Sequence, residues 1–148
     1  MGTRAVIAKP IDYLGLINPD TTVECISIGS DGYPSNVFEK MRSLIKDVGV
    51  DVIMAGGDIS NLGDRYYPNP LGYHDSDYPQ YNTCLVLARD NIRADPSQCE
   101  MKCMKIRDVK SNYNFADYIY VIDEEDIHVS SLTDGEVKFQ VNSWIDED

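Results

Sequence analysis

The sequence predicts an α+β domain: an antiparallel sheet of about five strands, one amphipathic helix over 36–48 packed on a face, and a C-terminal β-meander. Three observations predict it. Between Asn36 and Val48 the apolar residues Val37, Met41, Leu44, Ile45 and Val48 fall on one stripe of a 3.6-residue period. Elsewhere, short β-branched runs alternate with clusters of Gly, Pro, Asn and Asp, which read as strands separated by turns. The chain has 148 residues, of which 43% are apolar. That suffices for one core, so residues 1–148 are expected to form a single domain.

The elements follow in order. Thr3 to Ala8 reads as a first strand that Pro10 ends, and Ile11 to Asp20, with Gly15, Asn18 and Pro19, reads as a loop. In Thr22 to Ile28 neither alternate face is cleanly polar, which predicts a central strand covered on both sides. The turn cluster Gly29-Ser30-Asp31-Gly32-Tyr33-Pro34 leads into the helix. Ser35 or Asn36 would cap it, with Glu39 three residues after Asn36 completing a capping box, and Gly49 would stop it in the left-handed conformation. Val50 to Ala55 reads as a further helical turn packed on that helix, and Asp58 to Gly63 as a compact turn. Residues 66–81 hold three prolines, one glycine and five tyrosines without hydrophobic periodicity, so they read as a long loop, a length that tends to be functional.

Thr83 to Ala88 reads as a third strand. Ser97-Gln98-Cys99-Glu100 matches a capping box, so a helix is expected from about Gln98, although the alternation in Met101–Ile106 also permits a strand. Tyr118–Ile122 and Ile127–Leu132 read as strands joined by the turn Asp123–Asp126. Asp134-Gly135 then turns into a third strand, in which Val137, Phe139 and Val141 alternate with polar residues.

Net charge is −12 and unevenly spread. Residues 116–148 carry ten acids against one lysine, whereas Lys102, Lys105, Arg107 and Lys110 make 101–110 locally basic. An acidic field repels nucleic acid and anionic lipid, and it suits a partner with a basic surface. The longest apolar runs fall well short of the ~20 residues of a membrane span, and the N-terminal run is too short for a secretory signal. With nothing pointing to secretion, Cys25, Cys84, Cys99 and Cys103 are expected to be reduced thiols. The C-x3-C spacing of Cys99 and Cys103 lacks a second pair to complete a zinc set.

No motif calls for a cofactor. Gly56-Gly57-Asp58 and Gly29-Ser30-Asp31-Gly32 match neither a P-loop nor a dinucleotide fingerprint, and turn conformation explains their glycines. His74 and His128 have no catalytic neighbour in sequence, and Asp123-Glu124-Glu125-Asp126 lacks the alternation and central glycine of a calcium loop. Two candidate sites remain. Tyr66, Tyr67, Tyr73, Tyr78 and Tyr81, interspersed with Asp75 and Asp77, offer the large amphipathic contact area of a recognition surface. Arg4, Asp31, Tyr33 and Arg89 lie where strand ends and turns can converge, with tyrosine to stack and arginine to hold phosphate.

The opening Met1-Gly2-Thr3-Arg4-Ala5-Val6-Ile7-Ala8, the turn Asp31-Gly32-Tyr33-Pro34, the run Gly57-Asp58-Ile59-Ser60-Asn61-Leu62-Gly63, then Cys84 and Arg89-Asp90, together resemble a group of small uncharacterised tailed-bacteriophage proteins. Those proteins share the same order of strands, D-G-Y turn, helix and closing hairpin. This chain departs from them in having Gly29-Ser30 where an aromatic or His-Trp pair often precedes D-G-Y. The resemblance implies a setting, the cytoplasm of an infected bacterium, rather than a mechanism.

The expected function is a non-enzymatic phage-type accessory protein that binds and modulates a host or defence protein through the Tyr-rich loop. The alternative is a small-ligand protein, binding or sequestering a nucleotide through Arg4, Asp31, Tyr33 and Arg89.

Overall fold

The computed structural model describes residues 3–11, 17, 19–63, 84–86, 96–123 and 126–132. These form an α+β fold with seven short strands in one sheet. At its centre are β1 (Ala5–Pro10), β2 (Thr22–Ile28) and β6 (Tyr118–Asp123). β2 runs antiparallel to β1, and β7 (Asp126–Ser131) runs antiparallel to β6.

The sheet is mixed where an antiparallel one was expected. β6 pairs with β1 in parallel, Ala5 opposite Tyr118 and Ala8 opposite Val121. The chain between them crosses one face of the sheet as α3 (Ile106–Asn112), which returns β6 in the direction of β1. β3 (Ile59–Asn61) pairs in parallel with the end of β2, at a place the sequence marks only as a turn. β4 (Leu85–Val86), inside the strand expected over Thr83–Ala88, pairs with β3.

Both faces are covered, as the apolar character of β2 on both sides requires. Ala5, Ile7, Ile26, Ile28, Tyr120 and Ile122 face α1 (Pro34–Asp47) and α2 (Val50–Gly56). The alternate residues Val6, Ala8, Val23, Cys25, Ile119 and Val121 face Ile106 and Val109 of α3. In α1 the stripe contributes Val37, Met41 and Leu44 to the first core, with Ile45 and Val48 at its margin, and Phe38 joins them. A fully buried side chain of this size contributes about 1.5–3 kcal/mol, so α1 is held by packing more than by its ends.

The ends of α1 differ from expectation. It begins at Pro34, whose fixed φ suits a first helical turn, and no side chain caps it. Asn36 instead donates its side-chain amide to the Asp31 carbonyl, 2.7 Å away, so no capping box forms with Glu39. Gly49 does follow the helix with a positive φ of 86°, but its ψ of 155° is extended and leads directly into α2.

The expected helix from Gln98 is replaced by a single 3-10 turn, Pro96–Gln98, and then by β5 (Lys102–Lys105). The competing alternation in Met101–Ile106 prevails because β2 needs an edge partner: Thr22 pairs with Lys105 and Cys25 with Lys102. The outer edge of β2 is thus shared, antiparallel to β5 over Thr22–Cys25 and parallel to β3 at Ile28. Between the two partners the Ser27 amide has no ladder acceptor, and it donates to Asp58 Oδ1 at 2.8 Å. The Asp58 amide donates to the Cys99 carbonyl at 2.8 Å, which ties the two branches of the fork together. Gly57 permits this approach: its φ is 84°, and a Cβ there would lie 2.3 Å from the Cys99 carbonyl oxygen.

β6 and β7 form the expected antiparallel hairpin, paired from Tyr118–Ser131 to Asp123–Asp126. The third meander strand, Val137–Val141, lies outside the described residues, as does the Asp134-Gly135 turn. The four cysteines are all thiols; Cys25, Cys84 and Cys99 are buried and Cys103 is exposed. No described helix is long and apolar enough to cross a membrane.

Candidate functional site

One end of the sheet gathers part of the sequence-predicted ligand set. β1 begins, β2 ends, β6 begins and β7 ends at this edge, because Ala5 is paired with both Ile28 and Tyr118, and Tyr118 with Ser131. Three backbone bonds lock the end together. Gly32 N–H donates to the Thr3 carbonyl at 2.7 Å, Asp117 N–H to the Arg4 carbonyl at 2.8 Å, and Leu132 N–H to the Asp117 carbonyl at 2.8 Å.

The D-G-Y turn sits on the start of β1. Asp31 has a φ of 55°, a left-handed conformation that Asp tolerates better than most residues. A Cβ at Gly32 would lie 2.7 Å from Ala5 Cβ and 3.0 Å from the Thr3 carbonyl oxygen, so only glycine lets the turn approach this closely. From the core below, the Tyr120 hydroxyl donates to the Gly32 carbonyl at 2.6 Å. Burial raises the Tyr120 phenol well above its ordinary range, and the neighbouring Tyr118 adds to the rise, so the group remains a donor at any neutral pH. Its ring meets Phe38 edge-on, with centroids 5.7 Å apart. A Tyr in the middle of a strand thereby fixes a turn 88 residues away in sequence.

On this anchored backbone stand exposed side chains. Tyr33 is 42% exposed and Phe115 is 41% exposed, the only exposed large aromatics among the described residues. The Arg4 guanidinium lies over the Phe115 ring, 5.3 Å from its centroid, and Phe115 meets Tyr113 edge-on at 6.0 Å. The end therefore presents a cation, the Asp31 carboxylate and two aromatic surfaces. These groups can stack, pair with charge and donate hydrogen bonds.

Arg4, Asp31 and Tyr33 are brought to the same end as expected. Phe115 was not foreseen, because it lies in the irregular segment after α3 with no periodicity to mark it. Arg89 lies outside the described residues, and so do Tyr66, Tyr67, Tyr73, Asp75, Asp77, Tyr78 and Tyr81, together with His74. His128 is half-buried on β7. Among the described residues no group of three or more His, Cys, Asp and Glu side chains is placed to hold a metal ion.

No protein-family model matches the chain, and no curated protein or solved structure is detectably similar to it.

Proposed function

We propose that the chain is a non-enzymatic binding protein of the phage accessory kind, which modulates a host or defence protein by contact. One observation carries this reading: both faces of the sheet are occupied by the protein's own helices, while Tyr33, Phe115 and Arg4 stand exposed on a backbone that Gly32 and Tyr120 hold rigid. Exposed aromatics and arginine on a preorganised support are the usual anchors of a protein interface. The Tyr-rich segment 66–81 supplies a second set of such anchors in sequence, and the net charge of −12 favours a partner with a basic surface.

The test is affinity capture from a host lysate, read by mass spectrometry, with the wild type and two variants compared. Arg4→Ala/Tyr33→Ala and Tyr67→Ala/Tyr73→Ala/Tyr78→Ala should each retain the fold by circular dichroism. Capture of the same basic protein by the wild type, lost in at least one variant and weakened by added salt, supports the reading. A partner held equally by all three proteins removes both surfaces from consideration.

The nucleotide-binding alternative draws on the same sheet end, with Tyr33 or Phe115 stacking a base and Arg4 on phosphate. A nucleotide that copurifies with the wild type, and not with Arg4→Ala/Tyr33→Ala, would put that reading first.

A further inference from the structure

Toward the end of the sheet opposite Arg4 and Tyr33, this acidic chain carries a basic strand edge. β5 pairs with β2 over Thr22–Cys25, and among the described residues no strand pairs with its other side. Lys102, Cys103 and Lys105 are exposed there.

The register shows which backbone groups face outward. Ile106 N–H donates to the Thr21 carbonyl at 3.0 Å, which continues the β2–β5 ladder by one residue. Bonded pairs alternate in an antiparallel ladder, so Met104 and Lys102 also turn their amides and carbonyls to β2. On its other side β2 uses Thr22, whose carbonyl accepts from Ile11 N–H at 3.0 Å, in agreement with this phase. The amides and carbonyls of Cys103 and Lys105 therefore point away from β2, toward the outer edge.

The side chains alternate as well. Lys102 and Met104 stand on the α3 face, opposite Cys25 and Val23, and Cys103 and Lys105 stand on the other. Arg107 is held by Asp20, and Lys110 reaches the Asn114 and Ala116 carbonyls, so Lys102 and Lys105 are the cations of the edge. Glu24, the carboxylate opposite Cys103, lies on the inner side of β5 and is shared with Lys9 on β1. Pairing this edge antiparallel with that of a second copy would set lysine against lysine, which disfavours self-association. Screening limits exposed charges to about 8 Å at physiological salt, so these lysines, rather than the net charge of the chain, govern what sits beside them.

We propose that the outer edge of β5 binds an acidic peptide in extended form, added to the sheet as a further strand. The amides and carbonyls of Cys103 and Lys105 would supply the main-chain bonds, and the lysines the choice of partner. Acids would stand opposite Lys102 and Lys105, with apolar residues opposite Cys103 and the half-buried Met104. That acid–apolar–apolar–acid pattern reads the same in either chain direction. This surface is separate from the sheet end and asks for the opposite charge.

The experiment titrates the ¹⁵N-labelled full chain, under reductant, with the capped peptide Thr-Glu-Val-Val-Glu-Thr. Controls are Thr-Lys-Val-Val-Lys-Thr and the acidic peptide N-methylated at its Glu-Val-Val-Glu amides. Amide exchange at Cys103 and Lys105 should slow by a factor of about 1 + [peptide]/Kd, and by more than at Lys102 and Met104, whose amides already face β2. Both controls should bind more weakly. Lys105→Glu, native by circular dichroism, should weaken the acidic peptide by about tenfold, since an attraction becomes a repulsion, and should gain affinity for the lysine peptide. Equal binding of the acidic peptide and either control overturns the proposal. So do Cys103 and Lys105 amides already slow without peptide, which would mean that the chain fills its own edge. Protection that rises with protein concentration instead of peptide would make the occupant a second copy, and overturns it too.

Discussion

Tyr120→Phe removes one oxygen atom and leaves the ring in its edge-on contact with Phe38. No cavity of consequence opens, so the effect isolates the bond to the Gly32 carbonyl. Both groups lie in a buried setting, and the carbonyl is left without this donor. Losing a hydrogen bond in this way costs about 1–3 kcal/mol, more than the bond's net worth of about 1 kcal/mol, because the acceptor stays desolvated. At roughly 2–4 °C per kcal/mol for a chain near this size, a loss of about 2 kcal/mol lowers Tm by roughly 4–8 °C. Two readouts check this. Thermal unfolding by circular dichroism gives Tm, and amide hydrogen exchange reports Gly32, whose N–H is bonded to Thr3 on the same turn. Exchange at Gly32 should accelerate more than exchange at Ile7 in the core of β1. Because the phenol is held well above its ordinary range by burial, the Tm difference should be constant from pH 5 to 9. A variant with Tm within about 1 °C of wild type and unchanged Gly32 exchange would refute the anchoring of the turn.

Other outcomes follow from burial and backbone geometry. Leu44→Asp places a charge in the fully buried stripe of α1 and should unfold the domain, which loss of the cooperative thermal transition would report. Gly57→Ala forces a side chain into a positive φ and against the Cys99 carbonyl oxygen; it should destabilise by about 2 kcal/mol or more in urea unfolding, with the damage centred on β3 and β5. Cys103 should react with a thiol reagent in the native protein, while Cys25, Cys84 and Cys99 should react only after denaturation. Asp58 is raised from 3.8 in the folded chain, so the native state holds its proton more tightly than the unfolded one. Its contribution to stability is therefore fully present below 3.8 and is lost as pH rises through the folded value. Asp58→Asn should remove that dependence, seen as a wild-type stability that gains on the variant as pH is lowered.

What could be read from the sequence was what depends on local pattern. The stripe of α1, the two-faced apolar character of β2 and the β6–β7 hairpin each lie within a run of 14 residues or fewer, and each is found. What could not be read depends on partners distant in sequence. The Met101–Ile106 segment carries both a capping box and a strand alternation, and the open edge of β2 at Thr22–Cys25, some 80 positions earlier, decides between them. The parallel pairing of β1 with β6 comes from the crossover through α3, a seven-residue helix too short to show a period of its own. At the sheet end, Arg4, Asp31 and Tyr33 were recognisable as residue types suited to binding. Tyr120, which holds their support in place, reads in sequence as one more apolar strand residue. Glycine at 32 and 57 was legible as turn chemistry, but the reason for it differs: each lets one backbone approach another.

That difference bears on how the sheet end can work. A recognition surface made of loop residues loses affinity to the entropy of ordering them, commonly about 0.5–1.5 kcal/mol for each immobilised side chain, with further cost for the backbone. Here the backbone part is already fixed before any partner arrives. The turn is held to Thr3 from above by Gly32 N–H and to Tyr120 from below by the Gly32 carbonyl, and the start of β1 is held by Asp117 through the Arg4 carbonyl. Arg4 is also partly ordered, lying on Phe115. The net effect is that Tyr33 and Arg4 are presented at a defined spacing on the strand ends, and Tyr120→Phe should therefore weaken partner capture as well as lower Tm, although Tyr120 is itself fully buried and out of reach of any partner. Capture by Tyr120→Phe equal to wild type, with Tm lowered as expected, would show that the rigidity of the turn serves the fold alone.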